Sequence, residues 1–327
     1  MLAIARRLVI ATTAAAMLLH AAPRSGEAAE IDTLVMDWAF YNPVSLVLKS
    51  QGLIEAAFAE DDIEVRWVQS HGSNKALEFL SADAIHFGST AGAAALIGRI
   101  NGNPIKSIYT YSKPEWTALV TLTDSPIESV ADLEGKSVAV TRGTDPHIFL
   151  MRALADAGLS DDDVRFVLLQ HADGGAALAR GDVDAWAGLD PMMAAAELAG
   201  EARLFYRNAD ANSWGILNVR EEFAAEHPEI IERVLGIYEE ARLWALDHPD
   251  ELAQILADEA GIPIEVAQKQ LSERTELTHN HIGEAQRTSI LEAGLALQQA
   301  GVIEADVDVA ATLDELIDDS FTSKVVN

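Results

Sequence analysis

An α/β fold in two lobes with a helical C-terminal region is what the sequence predicts, on three observations. From Ile31 onward, short β-rich runs alternate with helical patterns, the signature of α/β units with largely parallel sheets. After Val219 the pattern becomes almost wholly helical. The 327 residues carry 49% apolar residues, spread evenly; that exceeds one ordinary core, so two lobes account for the chain better than a domain with a tail.

The elements follow in order. Strands are predicted at Thr33 to Asp37, Ile63 to Gln69, Ala84 to Phe87, Ile105 to Tyr109, Ser137 to Thr141, Val164 to Leu169, Ala185 to Gly188 and Arg203 to Tyr206. Helices fill the gaps: Asn42-Pro43 opens one running to about Glu60, Ser73 a second, Thr90 a third, and Asp145-Pro146 a fourth closing near Gly158. Two further β-rich runs, Trp116 to Leu122 and Trp214 to Val219, sit where the pattern changes neighbourhood and are assigned as crossovers. The second lobe is then an insert: residues 29–115 and 217–327 form the first lobe and 116–216 the second. Helices are predicted beyond Val219 at Pro228 to about Leu246, Pro249 to Ala260, Pro263 to Leu271, His281 to Ala300 and Val307 to about Asp319. A faint internal echo, Ser73 to Ala95 against Gly174 to Ala196, adds weak support for two lobes of like architecture.

Ahead of these elements Arg6 and Arg7 precede an apolar run, Leu8 to Leu19, and a small-residue stretch, Ala21 to Ala29, which reads as a secretory signal peptide over residues 1–28. The run is shorter than a spanning helix needs. No later segment reads as transmembrane, and with no cysteine the chain has neither a lipoprotein anchor nor a disulfide. The mature chain is therefore expected to be soluble. A formal charge of -29 excludes nucleic acid as a natural partner. It also repels small anions at long range, so an anionic ligand has to be held by local donors. The plainer account of the charge is a solvated, salt-adapted surface.

In a parallel α/β sheet the loops at the carboxyl ends of strands gather at one edge, where each following helix points its free N–H groups and positive dipole end. Three loops are short, polar and suited to capping: Ser70-His71-Gly72-Ser73-Asn74, Gly88-Ser89-Thr90-Ala91 and Thr141-Arg142-Gly143-Thr144-Asp145. They predict three helix starts with donors for an oxyanion. Ser73, Ser89, Thr90 and Thr144 either cap their own helices or donate a hydroxyl to the ligand. Arg142 is the sharpest single candidate, because a guanidinium meets a sulfonate, phosphate or carboxylate with parallel hydrogen bonds. Its alternative is a salt bridge; as a ligand contact, its removal should weaken binding by about 2–5 kcal/mol. Asp190, before Pro191, holds an amino group, the far lobe or the start of its own helix. Trp38, Phe40 and Tyr41 cluster after the first strand, and Trp116 and Trp214 begin the crossovers; aromatics at a cleft mouth would pack an organic body beside the anionic head, the alternative for each being core. The candidate ligand set is Trp38, Tyr41, Asn42, Ser73, Asn74, Ser89, Thr90, Trp116, Arg142, Thr144, Asp145, Asp190 and Trp214.

Catalytic and metal motifs are missing. The sequence has no cysteine, Gly-x-Ser-x-Gly elbow, Walker loop or His-Glu-x-x-His. Its nine histidines are scattered, so no metal site is predicted. His71, His147 and His171 flank strand ends and either line the cleft or serve as satisfied loop residues.

These residues resemble the substrate-binding proteins of ABC importers for aliphatic sulfonates, taurine and nitrate. The likeness covers most of the mature chain. It lies in Trp38-Ala39-Phe40-Tyr41-Asn42-Pro43 with the helix to Gly52-Leu53, in Gly72-Ser73-Asn74-Lys75-Ala76-Leu77, Phe87-Gly88-Ser89-Thr90, Gly181-Asp182-Val183-Asp184-Ala185-Trp186 and Asp190-Pro191. The segment Asp132-Leu133-Glu134-Gly135-Lys136-Ser137-Val138-Ala139-Val140, entering the second lobe, is the most diagnostic. The resemblance implies a type II periplasmic binding protein, two α/β lobes joined by two crossover strands. It further implies a periplasmic monomer without cofactor that captures a small organic anion and hands it to an ABC permease in the inner membrane. Carried over by position, Ser73, Ser89, Thr90, Thr144 and Asp190 are the matching sites. Two departures stand out: His86 replaces the family's usual acidic residue before Phe-Gly, and Arg142, Asp145 and His147 stand where small polar residues are more usual. Two alternatives remain open. One is an enzyme on the same lobes, since the family resembles a desulfinase, which uses a cysteine nucleophile, and pyrimidine-handling enzymes. The other is a neutral or cationic heterocycle, which Glu115, Asp145 and Asp190 would suit.

Overall fold

The structure, a computed structural model, describes residues 31–326; the predicted signal peptide lies outside the described residues. Two sheets organise it. In the first, β1 (Thr33–Trp38) lies between β2 (Glu64–Gln69) and β3 (Phe87–Ala91), parallel to both. The sheet continues antiparallel through β10 (Gly215–Arg220) and β4 (Ile105–Pro114) to β11 (Thr275–Glu276). Leu34, Val35, Met36 and Asp37 are all buried, as in a strand covered on both faces. The second sheet comprises β5 (Leu119–Leu122), β6 (Ser137–Val140), β7 (Arg165–Leu168), β8 (Ala185–Ala187) and β9 (Ala202–Tyr206), in the order β7-β6-β8-β5-β9. Here β6 is parallel to β7 and β8, and β5 is antiparallel to β8 and β9. Both sheets are thus more mixed than the sequence predicts.

The helices are α1 (Pro43–Gln51), α2 (Leu53–Phe58), α3 (Ser73–Ser81), α4 (Gly92–Ile100), α5 (Asp145–Asp156), α6 (His171–Ala179) and α7 (Met192–Leu198), then α8 (Glu221–Glu226), α9 (Pro228–Asp247), α10 (Pro249–Ala260), α11 (Ile264–Arg274), α12 (Glu284–Gln299), α13 (Val309–Leu316) and α14 (Thr322–Val325). The helix predicted from Asn42 to Glu60 is broken at Gly52, whose φ of 63° ends α1 in a left-handed cap.

The helix predicted at Thr90 starts two residues later, because Gly88 to Ala91 are strand. That difference has a cause outside the local sequence. Strand β10 returns to pair with Phe87 to Ala91, and pairing satisfies backbone groups that burial would otherwise leave without partners. The runs predicted as crossovers begin in the passages between the sheets and continue as β5 and β10. Ile216, Leu217 and Val219 of β10 are fully buried between β3 and β4, which a free linker would not allow.

The passages themselves, residues 115–118 and 207–214, are tied to each other and to α5. Thr117 N donates to Asn212 Oδ1 at 2.9 Å, and Asn212 Nδ2 returns to Thr117 O at 3.3 Å. Asp145, the first residue of α5, accepts from both passages: from Trp116 Nε1 (2.7 Å) and Ser213 N (3.0 Å) at Oδ2, and from Ser213 Oγ (2.8 Å) at Oδ1. Ile148 and Met151, farther along α5, pack into the core of the first sheet. Replacing Asp145 by Ala strands three buried donors, so urea denaturation should show about 2–4 kcal/mol less stability. A loss below about 0.5 kcal/mol, the level of an unremarkable surface change, would show that the carboxylate does not hold the passages.

Candidate functional site

Three helix starts meet in a cleft between the layers. After β2 the chain enters α3 at Ser73, after β6 it enters α5 at Asp145, and after β7 it enters α6 at His171. Each lies at the carboxyl end of a strand and presents a positive dipole end, although α5 keeps a free first-turn N–H at Asp145 alone, because Pro146 has none and His147 N and Ile148 N donate to Thr144 O. An inner recess lies among Tyr41, Gly72, Ser73, Trp116, Thr144, Asp145, Pro146, His171 and Leu189. It shares Tyr41, His171 and Leu189 with a neighbouring cavity of about 350 Å³, whose other lining residues are Phe40, Ser70, His71, Lys75, Phe79, Gln170, Ala172, Asp190, Pro191 and Met192.

Gly72 permits this approach. Its φ is 149°, and a Cβ there would lie 2.9 Å from both Asn74 Oδ1 and His171 Nε2. The His171 ring is 2% exposed, and its Nδ1 lies 3.2 Å from Thr141 Oγ1. Thr141 Oγ1 donates its one proton to Leu169 O at 2.7 Å, so it accepts from Nδ1–H. That tautomer, assigned from the hydrogen-bond network, leaves Nε2 a bare acceptor with no partner. Burial pushes the imidazole down to about 3, so the ring is neutral. Asn74 Oδ1 and Gln170 Oε1 are buried without partners too. Ser70 Oγ faces the Asp37 carboxylate and helps hold its pKa down, more weakly than Ser89 does. Buried polar atoms are normally paired, and three orphans, on His171 and Gln170 at the cavity wall and on Asn74 against Gly72, mark a place where a ligand or water completes the bonding.

The structure brings together Tyr41, Ser73, Trp116, Thr144, Asp145 and Asp190 around the two cavities, with Asn74 against Gly72. Ser73 Oγ accepts from Ala91 N at 3.0 Å and keeps its proton to donate. Thr144 Oγ1 instead donates to Thr141 O at 2.7 Å. Asp190 is turned to the far side: it accepts from Ala194 N at 2.9 Å and from Arg274 Nη1 at 3.1 Å, and Arg274 also binds Glu197. Desolvation outweighs that arginine and pushes Asp190 up to about 6.

The other candidates lie elsewhere. Ser89 and Thr90 are buried in β3, where Ser89 Oγ donates to Asp37 (2.8 Å) and accepts from Asn42 Nδ2 (2.7 Å), and Thr90 Oγ1 accepts from Asn218 (2.8 Å). Asn42 caps α1 by accepting from Ser45 N. The expected oxyanion donors of α4 are taken by the returning passage, since Gly92 N donates to Trp214 O and Ala93 N to Ser213 Oγ. Trp38 stacks edge-on with Phe40 under Lys49, and Trp214 is buried against His279. Arg142 is exposed and lines neither cavity. The helix it precedes turns Thr144 and Asp145 inward and leaves the guanidinium in solvent. Gln170 is not among the sequence candidates, and His171, read there as either cleft-lining or a satisfied loop residue, lines both cavities. His147 packs against Phe166, outside both cavities.

Two α/β layers around a cleft fed by helix starts define a protein with the periplasmic binding protein fold. The NMT1/THI5-like family model matches residues 57–252, and the chain belongs to that family. It is 32% identical over 238 residues, 72% of this chain and 74% of the relative, to a protein of Escherichia coli (strain K12) named for aliphatic sulfonates binding. Among solved structures it is similar to the alkanesulfonate-binding protein SsuA from Xanthomonas axonopodis pv. citri bound to MOPS, with a TM-score of 0.79 and 24% identity over 87% of this chain and 99% of that one. The periplasmic aliphatic sulphonate binding protein SsuA from Escherichia coli gives a TM-score of 0.72 and 26% identity, over 86% and 91%.

The neutral His171 makes stability depend on pH with a definite sign. Its ordinary value is 6.5 and its folded value about 3, so between them the unfolded chain binds the proton more readily. This contribution is full above 6.5 and is lost as pH falls, at up to about 1.4 kcal/mol per pH unit. Asp37 and Asp190, both raised from 3.8 to about 6 by burial, act in the opposite sense, favouring the fold less as pH rises through that window. Urea denaturation of a His171→Gln variant should isolate the first effect: variant minus wild-type stability rises as pH drops from 6.5 toward 4. A difference flat across that range would contradict a neutral, buried His171.

Proposed function

We propose that the chain is a non-catalytic solute-binding protein that captures a small organic anion, an aliphatic sulfonate with taurine among the candidates, and delivers it to an ABC importer from the periplasm. The observation that carries this reading is the convergence of three helix N-termini on a recess with unpaired buried polar atoms. Phe40, Tyr41 and Trp116 beside it supply apolar surface for an organic body. The names of the sulfonate-binding relatives support the ligand class. We take residues 1–28 as a leader, 29–115 with 217–327 as the first lobe and 116–216 as the second. Closure then occurs about the two passages, in a monomer.

The acidic residues do not favour a cationic heterocycle. Asp145 and Asp190 are occupied by internal donors, and both oxygens of Glu115 are taken by Arg207 at 2.8 and 2.7 Å. An enzyme of the desulfinase kind lacks its nucleophile, since the sequence has no cysteine.

Calorimetry and thermal shift over alkanesulfonates, taurine, nitrate and aromatic sulfonates test the reading. At least one sulfonate should bind and raise Tm; if no anion does, the reading fails. Mass spectrometry should recover that ligand intact, and turnover would favour an enzyme. Arg142→Ala should change affinity by no more than about twofold, or roughly 0.4 kcal/mol, whereas Ser73→Ala should weaken it by about tenfold or more. A tenfold loss in the Arg142 variant would return the guanidinium to the site.

A further inference from the structure

The cleft is poor in positive charge. Of the residues lining the two cavities, Lys75 alone is a lysine or arginine, and its ammonium sits 2.6 Å from Glu78. Helix starts supply partial charges only. A cationic partner would add to what the helix starts supply, because desolvating a charge is expensive. His171 is placed to become one. Its Nδ1–H already donates to Thr141 Oγ1, whose own proton is committed to Leu169 O, so a proton added at Nε2 leaves that network intact. The new N–H would sit on the one unpartnered ring atom, beside Gly72 and the α3 start.

We propose that His171 binds the ligand's anionic head as an imidazolium, so that one proton is taken up with each anion. The step is Nε2 plus H⁺ from solvent plus the anion, giving a hydrogen-bonded ion pair; no covalent bond to the ligand forms. The inference rests on the anion-binding reading above and adds the charge partner. The ionisable groups sharing the two cavities with His171 are Tyr41, His71, Lys75, Asp145 and Asp190. On neighbouring elements α7 carries Glu197, α6 itself carries Asp173, and α5 with the loop before it carries Arg142, His147, Arg152 and Asp156, while β6 and β8 carry none. Burial alone governs the empty ring. Asp145 and Asp190 are held by internal donors, and Lys75 by Glu78.

Titration calorimetry with n-butanesulfonate, an anion with no donor of its own, decides the matter when run in buffers of different ionisation enthalpy. Wild-type protein should take up a measurable fraction of a proton per anion at pH 5, and its affinity should rise as pH falls from 7 to 5. His171→Gln, which keeps hydrogen-bonding capacity without a titrating ring, should bind more weakly, with no proton uptake and a flat profile. Wild-type binding without uptake would overturn the proposal and leave the sulfonate reading standing. Uptake that persists in the Gln variant would assign the proton elsewhere, His71 being the exposed histidine on the cavity, and would also overturn it. No binding of any sulfonate would sink both.

Discussion

The Asp145 carboxylate is the point on which the two halves of this molecule turn. It is fully buried, yet it accepts three hydrogen bonds from residues that carry the chain between the sheets, Trp116 on the way out and Ser213 on the way back. Because it is also the first residue of α5, the same contact ties the start of that helix to both passages. Burial pushes its pKa up, and the donors hold it down in part. The cleft therefore inherits its geometry from a polar tie, while Ile148 and Met151 supply the apolar packing beside it.

The electrostatics of the cleft differ in kind from those of the surface. A net charge of -29 sets a long-range field that disfavours anions, and salt screens it. Inside the recess, oriented N–H groups, the Ser73 hydroxyl and an uncharged imidazole act over a few ångströms in a medium with little water, where each counts for more. The acids at the cleft are occupied by their own donors, so their presence in the lining does not make it a cation site. The far wall is braced similarly: Asp190 is locked to Arg274 of α11, a helix that follows the return to the first sheet.

Much of the fold was legible because it is written in local patterns. The strands at Thr33, Ser137 and Arg203 and the helices opened by Ser73, Asp145-Pro146, Pro228 and Pro249 were predicted close to their observed limits. Two of the three expected helix starts, at Ser73 and Asp145, do line the recess. The third failed at Thr90 for a nonlocal reason: a strand from 125 residues later in the chain occupies its flank. Ser89 and Asn42 are committed for other reasons, the Ser89 hydroxyl to Asp37 of β1 and the Asn42 oxygen to the cap of α1.

The sequence by itself determined the α/β class, the helical tail, the absence of a cysteine nucleophile and the run of polar loops after successive strands, since all of these are composition or short-range periodicity. Only the tertiary structure decided which loops face one another. Arg142 had the right chemistry, yet its side chain is exposed and lines neither cavity, and the strand-end position of His171 left cleft and loop roles equally open until Gly72 came within contact of its ring. Direction and pairing of a side chain depend on what packs across from it, and that neighbour lies about a hundred residues away in sequence and on another layer.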